Sequence, residues 1–120
     1  MRDAIASWVL RYVQAWGSNH PDEIGELFAE DARYFTEPFA APWEGRTAIV
    51  QWWLRHREEP GTWKFRFEVL GVDGDVGFVR GWVEYTNESD YENLWVIRLD
   101  ENGDCIEFTD WWMRVPDSAG

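Results

Sequence analysis

The chain has 120 residues, enough for one hydrophobic core and no second one. Its formal net charge of −12 argues against nucleic acid or an anionic membrane surface as a partner. An apolar fraction of 45% is ordinary, but 18% aromatic residues with 10 tryptophans imply either a very aromatic core or a cavity walled by rings.

In chain order, Ile5, Trp8, Val9, Tyr12, Val13 and Trp16 recur with helical spacing and predict an amphipathic helix over 3–16. Gly17, Ser18 and Asn19 stop it. Pro21 opens a second helix whose first turn carries Asp22 and Glu23, where acids suit the helix dipole. Ile24, Leu27 and Phe28 form its apolar face, and Asp31 and Ala32 end it.

Residues 31–46, DARYFTEPFAAPWEGR, join the helical front of the chain to a strand-rich back. A short strand over 32–35 breaks at Glu37 and Pro38. The residue before a proline is pushed towards extended geometry, so Glu37 belongs to a loop. An acid held in an aromatic-walled loop has its proton affinity raised by desolvation, which makes Glu37 a candidate base, although a solvated loop glutamate has the same sequence signature. A third helix follows over 47–57 and carries Ile49, Val50, Trp52, Trp53 and Leu54, until Pro60 and Gly61 break it.

The remainder is strand. Trp63, Phe65, Phe67 and Val69 alternate with Lys64, Arg66 and Glu68, and Asp73-Gly74 marks a hairpin. The next strand sets Phe78, Arg80, Trp82 and Glu84 on one face and Gly77, Val79, Gly81, Val83 and Tyr85 on the other. Further strands over 92–99 and 105–115 flank a turn at Asn102-Gly103. Three helices before a run of long antiparallel strands read as α+β, one domain over 1–116 with a flexible tail over 117–120. Both faces of the last strands are apolar, Trp95 and Ile97 on one and Leu94 and Val96 on the other. The helices can cover one face, so the outer face is expected to form a homodimer. Cys105 is the single cysteine, His20 and His56 lack metal-ligand spacing, and no apolar run is long enough to span a membrane. The expectation is a cytoplasmic protein with no signal peptide and no metal.

The order of the segments RYVQAW, PDEIGELFAEDARY, EGRTAIVQWW and RLDENGDCIEF resembles the nuclear-transport-factor-2-like superfamily, in its SnoaL-like and ketosteroid-isomerase-like branch. That resemblance implies a cystatin-like cone: three N-terminal helices packed on a strongly curved, mostly antiparallel sheet around a pocket, with dimerisation through the outer sheet face. It places Tyr12 where ketosteroid isomerases carry an oxyanion-hole tyrosine and Glu37 where they carry a catalytic aspartate before a proline. Their second oxyanion donor, an aspartate, falls on Trp95, so the steroid isomerase constellation is incomplete. Asp110 falls near the catalytic aspartate of SnoaL-like cyclases, with Arg80 or tryptophan N–H groups as its structural alternatives.

Three readings stand at this point. The first is an isomerase, cyclase or dehydratase without a cofactor, in which Glu37 or Asp110 moves a proton and Tyr12 and Trp95 face the oxyanion. Its small hydrophobic or aromatic ligand would sit among Trp16, Trp43, Trp53, Trp82, Trp95 and Trp112, with Arg80 as an internal cation or a dimer-face residue. The second is a binding module that uses the same rings, and the third a structural dimer whose cone is filled by its own side chains.

Overall fold

The computed structural model describes residues 2–116; the tail expected over 117–120 lies outside the described residues. The helical apolar spacing at the start of the chain forms α1 (Arg2–Ser18), which buries Ile5, Trp8, Val9, Tyr12 and Ala15 on one side. Asn19 ends it in a left-handed conformation (φ 52°) that asparagine tolerates better than most residues. A short α2 (Pro21–Gly25) follows, capped by the His20 Nδ1, which accepts from the Asp22 amide.

The chain departs from its predicted course after α2. Leu27 and Phe28 do not extend the helix. Phe28 instead opens a long strand, β1 (Phe28–Phe35), and a two-residue strand, β2 (Trp43–Glu44), pairs antiparallel with it. An apolar pair two residues past a helical turn fits either continuation. Tertiary pairing decides for the strand, because the Leu27 carbonyl accepts from the Cys105 amide and Phe28 aligns with Cys105. Next come α3 (Arg46–Arg55) and four long strands: β3 (Trp63–Asp73), β4 (Val76–Tyr85), β5 (Tyr91–Leu99) and β6 (Cys105–Arg114).

The six strands form one mixed sheet in the order β2-β1-β6-β5-β4-β3. Every pairing is antiparallel except β1 with β6, which run parallel and bring the front of the chain against its last strand. The architecture is thus α+β, with N-terminal helices on one face of the sheet. That face collects Val79, Trp95, Ile97, Leu99 and Phe108, all buried against Ile5, Trp8 and Val9 of α1. Gly77 and Gly81 make this packing possible. A Cβ on Gly77 would lie 2.4 Å from the buried Ile5 side chain, and one on Gly81 would lie 2.5 Å from the Phe65 ring. The helices therefore cover the Gly77–Val79–Gly81–Val83 side of β4. Arg80 and Trp82 face the other way.

Candidate functional site

A cavity of about 440 Å³ opens between the helices and the inner face of the sheet. Its walls are rings: Tyr12 and Trp16 from α1, Tyr34 from β1, Trp43 from β2, and Trp52 and Trp53 from α3. From the long strands come Tyr85, Tyr91, Trp95 and Trp112. Tyr12 is the hub, with its ring centroid 4.7 Å from that of Trp53 and 4.6 Å from that of Trp95. Trp43 stacks between Tyr34, at 4.5 Å, and Trp52, at 5.3 Å. Trp16 stacks on Trp63 at 3.8 Å. The rings brace one another around the space they enclose.

Among the described residues Asp110 is the one buried charged side chain, 9% exposed, and it lines this cavity. Strand register places it. Trp95 lies directly across from it on β5, and Asn93 lies across from Trp112 two residues along the same face. The Trp95 indole donates to the Asp110 Oδ1 at 2.9 Å, and the Asn93 amide donates to the same oxygen at 3.0 Å. Burial pushes the Asp110 carboxyl up to about 6, while hydrogen bonds from Asn93, Trp95 and Tyr34 hold it from rising further. Desolvation wins that contest. The result is a carboxylate with the proton affinity of a base that works near neutral pH.

Beside it, the hydroxyls of Tyr12 and Tyr34 hydrogen-bond at 3.0 Å. Both phenols are raised well above the ordinary tyrosine value, chiefly by burial, with the nearby Asp110 charge adding to it. They stay protonated at physiological pH, one hydroxyl donating to the other. A second acid, Glu58, stands in the loop after α3, where its Oε1 accepts from the Tyr85 hydroxyl at 3.0 Å. Partial burial and the neighbouring Glu88 raise its carboxyl, and the Tyr85 hydrogen bond offsets part of that rise. No three His, Cys, Asp or Glu side chains among the described residues are grouped to hold a metal ion.

The SnoaL-like domain family matches residues 9–114. The chain belongs to that family. Solved structures share the fold of this SnoaL-like chain. A provisionally named ketosteroid isomerase from Kribbella flavida is 18% identical, with a TM-score of 0.73 over 98% of this chain and 84% of that one. An NTF-2-like protein of unknown function from Burkholderia xenovorans is 16% identical, with a TM-score of 0.77 over 99% and 90% of the two chains. An LEH-like epoxide hydrolase from M. tuberculosis is 15% identical, with a TM-score of 0.62 over 89% and 80%. At these identities the likeness shows the fold alone. No curated protein matches the chain.

Within this SnoaL-like fold the residues singled out from sequence separate into two groups. Tyr12, Trp16, Trp43, Trp53, Trp95, Asp110 and Trp112 all line the cavity. Glu37, Arg80 and Trp82 do not. Tyr34 and Thr36 turn inwards, so Glu37, one position on, is exposed in the bend that follows β1 and lacks the aromatic wall expected for it. Arg80 pairs with Glu92 across the outer face, and its guanidinium lies 4.8 Å from the Trp82 ring, with that of Arg66 at 4.1 Å on the same ring. Trp95 keeps its place in the cavity, but its N–H is spent on Asp110 and is not available to an oxyanion. Sequence reasoning passed over Tyr34, Asn93, Trp52, Glu58, Tyr85 and Tyr91. Asn93 shares the parity of Trp95 on β5, a signal that could have found it. Glu58, in a loop, carries none.

Proposed function

We propose that this SnoaL-like domain binds a compact, ring-bearing molecule and moves a proton on it, as a cofactor-independent isomerase, cyclase or dehydratase with Asp110 as the acid/base group. The observation that carries this reading is a buried carboxylate, held at Oδ1 by Asn93 and Trp95 and raised towards neutrality, in the wall of an aromatic cavity. With Oδ1 held by Asn93 and Trp95, the proton would move on Oδ2. The Tyr12–Tyr34 pair would steady charge developing on the substrate oxygen, a role that needs phenols kept protonated. The rings would hold a flat substrate by apolar contact. We place the protein in the cytoplasm, where its single buried thiol, Cys105, needs no partner.

Tryptophan fluorescence should quench saturably, at one site per chain, with cyclic carbonyl compounds that fit the cavity. With any such compound that is turned over, kcat/KM should rise with pH through about 6 and then level off, because the base must be ionised. Asp110→Asn should lower turnover by about 10²–10⁴-fold. Glu37→Gln should leave it within about twofold, as expected for an exposed surface group. Loss of turnover in the Glu37 variant with full turnover in the Asp110 variant would reverse the assignment.

We also propose that two copies associate through the outer sheet face. Leu94 and Trp111, cross-strand partners there, are 40% and 45% exposed, and Met113 is 75% exposed. Rows of Arg80, Glu92 and Arg66 around Trp82 offer a two-fold partner both signs of charge. Sedimentation should report a dimer at micromolar concentration and a monomer for Trp111→Glu. A native chain that sediments as a monomer would refute this interface.

A further inference from the structure

Two carboxylates, Asp110 and Glu58, line the cavity, and among the described residues neither has an ion-pair partner. Among the described residues the ion pairs are Arg33–Glu107, Arg80–Glu92 and Arg98–Asp75, none of which touches Asp110 or Glu58. Glu88 adds a third acid at the rim. Of the basic groups lining the same space, Arg57 donates to the Leu54 carbonyl and enters none of these ion pairs, and the exposed His56 ring stacks flat on Trp52 at 5.2 Å, so the acids outnumber the fixed cation. Glu58 sits beside Tyr85, whose ring meets that of Tyr91 edge to face at 5.8 Å. This part of the wall therefore sets a carboxylate at the hydroxyl end of one ring, with a second ring packed against the first.

A ligand that enters strips further water from these acids. A neutral molecule leaves the desolvated charges uncompensated, and an anion is repelled by them. A cation is attracted by the carboxylates and by the ring quadrupoles together, and beside Glu58 it offsets the penalty that burial places on that acid. We infer that the ligand is an organic cation, a compact molecule with an apolar body among the tryptophans and an ammonium nitrogen beside Glu58, Tyr85 and Tyr91. This inference rests on the reading of the cavity as a small-molecule site and names the charge of what enters it.

Three probes of one shape separate the possibilities: phenethylammonium, phenethyl alcohol and phenylacetate, which differ in charge at one end. Binding is read by tryptophan fluorescence and calorimetry on the full chain at neutral pH. Phenethylammonium should bind about tenfold or more tightly than the alcohol, and phenylacetate should show no saturable binding. Added salt should weaken the ammonium and leave the alcohol unchanged. Glu58→Gln should bring the ammonium down to the affinity of the alcohol. Because Glu58 is half-buried in a loop, this variant should keep the native far-ultraviolet spectrum. Equal or tighter binding of the alcohol overturns the cationic assignment while leaving the cavity reading intact. An ammonium preference that survives both Glu58→Gln and Asp110→Asn also overturns it. No binding of any probe overturns the inference together with the cavity reading beneath it.

Discussion

Asp110→Asn should make the protein more stable at neutral pH while removing the group proposed to move the proton. The carboxyl ordinarily titrates near 3.8, and burial lifts it to about 6 in the folded chain. Between those values the native state holds a proton that the unfolded chain has released. Unfolding free energy therefore falls as pH rises through that window, and the full penalty is present above it. Roughly two pKa units at about 1.4 kcal/mol each amount to about 3 kcal/mol, applied without discount because the side chain is 9% exposed. Asparagine keeps the shape, and its Oδ1 can still accept from Trp95 and Asn93. It lacks the charge that burial opposes. Urea unfolding should place the variant midpoint above that of the native chain at pH 7.5, with the two curves converging below about pH 4. A variant less stable at pH 7.5 would show that the carboxylate is compensated in the folded state, and desolvation could not be the source of its basicity. Stability given up for a reactive group is common at functional sites.

Trp8→Ala should be the most damaging core substitution, at about 3–5 kcal/mol. Trp8 is fully buried, and its ring centroid lies 5.5 Å from Tyr12, 5.9 Å from Phe28 and 5.3 Å from Phe108. It joins α1 to the start of β1 and to β6. Its indole also donates to the Leu27 carbonyl at 2.9 Å, a contact across 19 residues of sequence. That carbonyl keeps the Cys105 amide as a donor, so loss of the indole hydrogen bond leaves no orphaned acceptor. Trp8→Phe, which loses the hydrogen bond and part of the ring, should therefore fall well short of the alanine variant. Chemical denaturation distinguishes them. Equal losses in the two variants would locate the stabilisation in the hydrogen bond and refute packing as its main source. Because the Tyr12 ring leans on Trp8, the alanine variant should also disturb the Tyr12–Tyr34 pair and weaken ligand quenching at the cavity.

Much of the molecule was legible in its residues. Helical spacing at Ile5, Trp8, Val9 and Tyr12 determined the buried side of α1, because a 3.6-residue turn places those positions in one stripe. Alternation determined that Trp95 and Ile97 share a face of β5 and that Asp110 and Trp112 share one of β6, since strand side chains repeat every two residues; the β5–β6 register makes the two faces one. The ordered segments from RYVQAW to RLDENGDCIEF were enough to point to the SnoaL-like family. Alternation alone does not say which face is covered. That choice fell to the helices, which pack where Gly77 admits Ile5 of α1, while Gly81 on the same face admits the Phe65 ring of β3, and so Arg80 and Trp82 lie outside the cavity. Nor could local pattern show β1 starting at Phe28 or running parallel to β6. That pairing depends on Cys105 and its neighbours, more than 70 residues away, and it aligns Tyr34 with Phe108 beside Asp110. Glu37 was singled out by its proline and Glu58 by nothing, because desolvation belongs to the surroundings of a side chain. Sequence determined α1, α3, the four long strands and the family, and it offered the acid on β6 as one of two candidates. Tertiary structure decided which acids are buried, because only packing sets how much water each one keeps.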